Sequence, residues 1–173
     1  PRVIWNTQDI VAARGGVAIQ SKTGHAFIKQ TMRAHGAVYG GEMSAHHYFR
    51  DFAFCDSGMI PWLLVAELVS HSGRSLADWV SGRFGAFPSS GEINFRVEDA
   101  GPAIERVLDA HRGDAVSLDE TDGVSLAFAD WRFNLRRSNT EPLVRLNVEG
   151  RGGAEGLSTK ISKISNLLGG TVA

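Results

Sequence analysis

The sequence predicts two tandem architectures. A partial mixed or parallel α/β domain spans residues 1–86, and an α+β domain, an antiparallel sheet with helices on one face, spans 87–173. Three observations predict this order. Helix and strand signals alternate through the first half. The composition shifts at Ala86-Phe87-Pro88-Ser89-Ser90-Gly91, which reads as a linker. The second half runs strand, helix, several strands and a closing helix.

In the first half, Asn6 or Thr7 is placed to cap a helix over residues 9–14, and Gly15-Gly16 ends it. Val17-Ala18-Ile19-Gln20 reads as a short buried strand. Lys22-Thr23-Gly24 then turns into a second helix with Ala26, Phe27, Ile28 and Met32 near helical spacing, stopped by Gly36. Ala37-Val38-Tyr39 supplies the next strand, so this stretch is a strand–helix–strand unit of the kind that builds a parallel sheet. Asp56 or Ser57 caps an apolar helix over 59–69, with Pro61 tolerated in its first turn, and residues 76–84 form one more. In the second half, residues 92–97 alternate as a strand, and Gly101-Pro102 opens a helix with Ile104, Val107 and Leu108 on one face. Strands follow at 116–118, 124–128, 131–135 and 143–148. The last helix carries Leu157, Ile161, Ile164 and Leu168 at spacings of four, three and four.

Composition narrows the function classes. The chain has 18 Lys and Arg against 19 Asp and Glu, a net charge of −1, which argues against a broad basic field for nucleic acid or a membrane surface. Hydrophobic residues at 43% and charged residues at 21% are those of an ordinary globular protein. The single cysteine, Cys55, excludes an intrachain disulfide and a multi-cysteine zinc cage. The longest apolar run, 59–69, is broken by Glu67 and falls short of the roughly 20 residues a bilayer requires. A soluble, cytoplasmic protein is expected. The chain starts at Pro1 without an initiator methionine or signal peptide, and reads as a piece of a longer polypeptide.

Three stretches carry chemistry. In Gly40-Gly41-Glu42-Met43-Ser44-Ala45-His46-His47, a carboxylate and a hydroxyl two residues apart follow glycines at a strand end. They suit the accepting and donating pattern of a vicinal diol such as a sugar; a solvated turn is the other reading. Adjacent His46 and His47 cannot both point at one metal from an extended chain, so no metal site is expected. In Arg136-Arg137-Ser138-Asn139-Thr140-Glu141-Pro142, guanidinium forks, hydroxyls, an amide and turn N–H groups fit a phosphate dianion, and the same residues make a good hairpin turn. Ser21-Lys22-Thr23-Gly24-His25 puts a cation and an imidazole at a helix N-terminus, which favours anions. A structural histidine is the alternative there.

With these motifs in this order and spacing, essentially the whole chain resembles the C-terminal part of the bacterial phosphomannomutases of the α-D-phosphohexomutase superfamily. The residues that carry the resemblance are Ser21-Lys22-Thr23-Gly24-His25-Ala26-Phe27-Ile28-Lys29, Gly41-Glu42-Met43-Ser44-Ala45-His46 and Arg136 through Pro142. Ala45 stands where many relatives have glycine, with little functional consequence expected.

The resemblance implies that residues 1–86 correspond to most of the family's third domain and 87–173 to its fourth. Glu42 and Ser44 would take sugar hydroxyls, with His25 near the reacting end. Arg136, Ser138, Asn139 and Thr140 would take the non-reacting phosphate, and Arg2 and Lys22 are secondary candidates. The implied reaction interconverts mannose 6-phosphate and mannose 1-phosphate through a phosphoserine and a bisphosphorylated sugar. The family's phosphoserine and Mg²⁺ loops belong to earlier domains. No Asp-Gly-Asp or Ser-His-Asn loop occurs in these 173 residues. No catalytic residue of that kind and no bound Mg²⁺ are therefore expected in this chain, and its implied partners are a phosphosugar (mannose 1-phosphate or 6-phosphate, with glucose phosphates as alternatives) and the N-terminal domains. A stand-alone phosphosugar-binding module without catalysis is the alternative reading.

Overall fold

Apolar and polar side chains alternate along residues 131–136 and 144–149, and the sheet that results dominates the architecture. The computed structural model describes residues 2–138, 141, 143–152 and 156–173. In chain order the helices are α1 (Trp5–Ala13), α2 (His25–His35), α3 (Met59–Ser72), α4 (Leu76–Ala86), α5 (Ala100–His111) and α6 (Leu157–Leu168). The strands are β1 (Tyr39–Gly41), β2 (His47–Phe49), β3 (Cys55–Asp56), β4 (Ser89–Arg96), β5 (Ser117–Asp119), β6 (Val124–Ala127), β7 (Trp131–Arg137), β8 (Leu143–Gly150) and β9 (Thr171–Val172). They divide into two units, one joining Pro1–Ala18 to Arg83–Ala173 and the other formed by Ile19–Gly82. Helices with sheets in both parts of the chain agree with the α/β plus α+β class.

The larger unit is a six-stranded antiparallel sheet in the order β5-β6-β7-β8-β4-β9. Because side chains alternate across a strand, Trp131, Phe133 and Leu135 of β7 share one face with Val144, Leu146 and Val148 of β8. Ala103, Val107 and Leu108 of α5 and Leu157, Ile164 and Leu168 of α6 pack on that face, as their helical spacing predicts. Asp99 caps α5 by accepting from the Gly101 N–H at 2.9 Å. The opposite face of β7 and β8 is polar and still buried, with Arg132, Asn134, Asn147 and Glu149 at 1–2% exposure.

Helix α1 starts on this polar face. Its expected side-chain cap at Asn6 or Thr7 does not form. The Glu149 carboxylate accepts instead from the N–H groups of Ile4 (2.7 Å) and Trp5 (3.2 Å), and Arg132 completes it with an ion pair at 2.8 Å. A carboxylate at a helix N-terminus satisfies otherwise orphaned donors and complements the helix dipole, so the helix opens at Trp5. Asn6 and Asp9 pair with Arg83. The expected strand at residues 17–20 is a correction: the segment lies outside any strand and Val17 is 84% exposed. A four-residue run needs a neighbouring ladder to satisfy its backbone, and none of the described strands pairs with it. The stretch read as a linker continues into β4, with Pro88 accepting from the Gly150 N–H and Gly91 at φ +67° beside a register shift.

In the Ile19–Gly82 unit, β1, β2 and β3 form an antiparallel meander in place of the parallel pairing expected from the strand–helix–strand order, β1 starting two residues later than read from the sequence. Ile28 and Met32 of α2 bury against Tyr48 of β2, with Ala37 and Phe54 around them. Gly36, at φ +63°, ends α2 as its C-cap. Ala53 and Phe54 are both left-handed, at φ +54° and +58°, and turn the chain so that Cys55 and Asp56 return alongside Phe49 and Tyr48. Helices α3 and α4 bury no residue fully, and Trp62 of α3 is 62% exposed.

Candidate functional site

Each unit carries one polar centre. In the Ile19–Gly82 unit it is built on the loop from Glu42 to His46 that joins β1 to β2. The loop is closed by Glu42 N–H donating to His46 O (2.9 Å) and Ala45 N–H donating to Glu42 O (3.1 Å), with Ala45 left-handed at φ +63°. Ser44 is exposed at its tip, whereas Glu42 is half-buried. The Glu42 carboxylate is fixed at both oxygens. The hydroxyl of fully buried Tyr48 donates to Oε1 at 2.5 Å, and the Gly24 N–H, at the start of α2, donates to Oε2 at 3.2 Å. Burial first, then the bond to Glu42, drives the Tyr48 pKa far above the ordinary tyrosine value, so Tyr48 is a permanent donor. Each carboxylate oxygen has a further lone pair to offer a hydroxyl.

Strand alternation sends His46 and His47 to different partners. His46 Nδ1 lies 2.7 Å from Asp56 Oδ2, while His47 Nδ1 meets the Tyr39 hydroxyl at 2.7 Å. Asp56 also accepts from the His47 N–H at 2.9 Å; this bond first, then the one to His46, lowers its pKa. His25, the first residue of α2, packs edge-on against His46 at 4.7 Å between ring centroids and against Tyr48 at 5.3 Å. Sequence reasoning named His25, Glu42 and Ser44; the fold adds Tyr48, Asp56 and the His46 ring to the group. No motif signal marks Tyr48 or Asp56, since a strand tyrosine and a turn aspartate are common, though the period of two from His46 does put Tyr48 on its side of the strand. His25, His46 and Asp56 each offer a ligand atom, all within 4.8 Å of one another, a trio with two imidazoles that suits a zinc-like ion. Lys22 is exposed, its ammonium 5.9 Å from the Phe27 ring centroid.

The centre of the larger unit lies on the polar face of the sheet. Alternation along β7 separates the two adjacent arginines. Arg136 shares a face with Arg132 and Asn134, whereas Arg137 reaches toward Gly101 of α5, where an added Cβ would stand 2.7 Å from its Nη2. Arg136 pairs across the ladder with Arg145 of β8. Arg145 donates to Ser138 Oγ at 3.4 Å and to Glu92 Oε1 at 3.2 Å, and Glu92 Oε2 accepts from Arg2 at 2.9 Å. Burial, and then the neighbouring Arg2 charge, lower the Arg136 pKa. The Ser138 N–H donates to Leu143 O at 2.8 Å and holds the turn. Arg2, Arg136 and Ser138 are thus gathered with Arg145 and Glu92, which sequence reasoning missed because they sit on other strands. Asn139, Thr140 and Pro142 lie outside the described residues.

Comparison with known proteins finds relatives of both parts of the chain. The model for the phosphoglucomutase/phosphomannomutase alpha/beta/alpha domain III matches residues 2–87, and that for the C-terminal domain of the same family matches 92–160. A protein of Xanthomonas campestris named for phosphohexose mutases is 64% identical over 171 residues, covering 98% of this chain and 38% of its own length. Phosphomannomutases of Salmonella montevideo and Escherichia coli K12 are 60% and 58% identical, each over 97% of this chain and 37% of theirs. The chain therefore spans somewhat more than a third of the length of the curated relatives it matches. A crystal structure of a phosphoglucomutase/phosphomannomutase family protein from Burkholderia thailandensis shares the fold, with a TM-score of 0.72 over 97% of this chain at 24% identity.

Proposed function

The chain belongs to the phosphoglucomutase/phosphomannomutase family, and we propose that it supplies the sugar-hydroxyl and phosphate contacts of a cytoplasmic phosphomannomutase. The reaction interconverts mannose 6-phosphate and mannose 1-phosphate by way of a phosphoserine and a bisphosphorylated sugar. Glu42 accepts hydroxyl protons of the sugar, Ser44 adds a second contact, and His25 stands at the reacting end. Arg136, Ser138, Asn139 and Thr140 grip the phosphate that is not being transferred, with Arg2 adding charge. The domain assignment follows the same division, residues 1–86 acting as the sugar-reading domain and 87–173 as the phosphate-gripping one.

The observation that carries this reading is the fixed Glu42 carboxylate. With Tyr48 and Gly24 holding one lone pair on each oxygen, the group is oriented before a ligand arrives, so little freedom is lost on binding. A vicinal diol matches two such oxygens. The His25–His46–Asp56 trio does not fit Mg²⁺, which takes hard oxygen ligands. Mg²⁺ is assigned to domains outside this chain, and no step here runs through it. Transfer needs a phosphoserine, and this chain alone is expected to bind without turning over; mutase activity in the purified 173-residue chain would overturn that.

The binding reading is tested by NMR titration with mannose 1-phosphate, using inorganic phosphate as the control. Shifts at Glu42 and Ser44 with the sugar only, and at Arg136 and Ser138 with both ligands, are expected. Arg136→Ala should weaken both ligands by about 1.5–3 kcal/mol, as for a lost charge-assisted bond. Glu42→Gln should weaken the sugar phosphate alone. Equal losses of both ligands in both variants would refute the division of labour.

A further inference from the structure

Three guanidinium groups, Arg2, Arg136 and Arg145, gather on the polar face of the larger unit with the Glu92 carboxylate among them, and Asp122 adds a second negative charge near Arg136. Glu92 spends one oxygen on each of two arginines, Oε2 with Arg2 at 2.9 Å and Oε1 with Arg145 at 3.2 Å. These pairs are mostly enclosed, Glu92 being 22% exposed and its partners 15% and 25%. Arg145 also reaches Ser138. Around them the face is under-satisfied: among the described residues, the buried Nε atoms of Arg136 and Arg145 and both side-chain polar atoms of Asn147 lack hydrogen-bond partners. Asn147 is 1% exposed and stands directly across the ladder from Glu92. Buried polar groups are paired in nearly all proteins, so a cluster of orphans beside an excess of positive charge marks a place where a polar anion belongs.

We infer that Glu92 is the internal counter-ion of this anion site, holding Arg2 and Arg145 apart and in place while the site is empty and yielding them to the incoming phosphate. The inference rests on the reading of Arg136 and Ser138 as phosphate contacts and extends it to Glu92 and Arg145. With Asp122 beside Arg136, the withdrawal of Glu92 leaves the three arginines two positive charges in excess. That excess matches a phosphomonoester dianion and over-matches a monoanion such as chloride. Glu92 thus tunes selectivity: the arginines stay ordered without ligand, and a singly charged anion has too little to gain to displace the carboxylate. Burial first, then the neighbouring Arg2 charge, lowers the pKa of half-buried Arg136 against the opposing pull of Asp122 and Glu92, as crowded guanidinium groups require.

The test is titration of the full 173-residue chain with inorganic phosphate, and separately with chloride, in the wild type and in Glu92→Gln, which keeps the shape and removes the charge. The variant is expected to bind phosphate about tenfold more tightly and to bind chloride measurably, because a competing negative charge has been removed. In the unaltered chain, the ¹³C signal of the Glu92 carboxyl should move as phosphate is added, which needs no variant to fold. Phosphate binding to the wild type that is equal or tighter than to Glu92→Gln, with no movement of the Glu92 carboxyl, would overturn the counter-ion role and leave the phosphate reading standing. Failure of both proteins to bind phosphate would remove the phosphate reading itself and this inference with it.

Discussion

The two units hold their polar centres by different means. The larger one has a core of seventeen buried apolar residues between a sheet and two helices, and its centre sits on the far face of the same rigid sheet. The Ile19–Gly82 unit buries only Ile28, Met32 and Tyr48 fully, and its longest helix buries nothing. There the loop carrying Glu42 is held by polar clamps: the Tyr48 hydroxyl, the Gly24 N–H, and Asp56 across His46 and His47. A large core positions side chains through packing, while a small one must do so through hydrogen bonds, each of which can be broken singly.

The contrast is broken most severely at Glu149. Replacing it with alanine leaves the Arg132 charge buried without its partner and frees two N–H groups of α1, and should cost about 3–5 kcal/mol. Chemical denaturation with exchange protection read in each unit should place the loss at β7, β8 and α1. Next comes Tyr48→Phe, which deletes one clamp on Glu42 and should cost about 1.5–3 kcal/mol, the range for a hydrogen bond to a charged group. Its damage should be confined to residues 19–82.

A smaller effect appears with pH. The folded Asp56 carboxyl titrates below its unfolded value, so its contribution is present above about pH 4 and is lost as pH falls through the folded value. Asp78, held by Ser75 at the start of α4, works in the same direction. Tyr48 is the opposite case: its contribution is complete below about pH 10 and is lost as pH rises toward its raised value. Melting temperature against pH should show both limbs, Asp56→Asn shrinking the acid one and Tyr48→Phe flattening the alkaline one. Smallest is Ala45→Gly. Glycine accepts the left-handed backbone that Ala45 adopts, and the variant should gain about 0.5–1 kcal/mol after its greater unfolded-state freedom is counted. A loss of stability on denaturation would show that the turn is not strained by the alanine Cβ.

How much of this was legible in the sequence follows from how local each cause is. The strands β4, β6, β7 and β8 and the helices α5 and α6 were readable because alternation and the four–three–four spacing of Leu157, Ile161, Ile164 and Leu168 are carried within each segment. The start of α1 was not, since its cap, Glu149, lies more than a hundred residues away. Residues 17–20 carry strand-forming side chains, but a strand also needs a partner, and none is written into those four positions. At the candidate sites, Glu42, His25 and Arg136 stood out as polar groups beside glycines and turns. Their supports did not: Tyr48, Asp56, Glu92 and Arg145 look like ordinary strand and turn residues until the fold brings them together.

The clamp on Glu149 also bears on the order in which the chain can fold during synthesis. Trp5 is made long before the carboxylate that receives its N–H, which belongs to β8, so this clamp on α1 cannot form until Glu149 has been made. Contacts separated this widely form late and slowly, because the intervening chain must be confined before they stabilise anything. Until β8 is in place, the helix start and the Trp5 ring lack that clamp, and a holdase chaperone meeting the nascent chain would find an apolar target there.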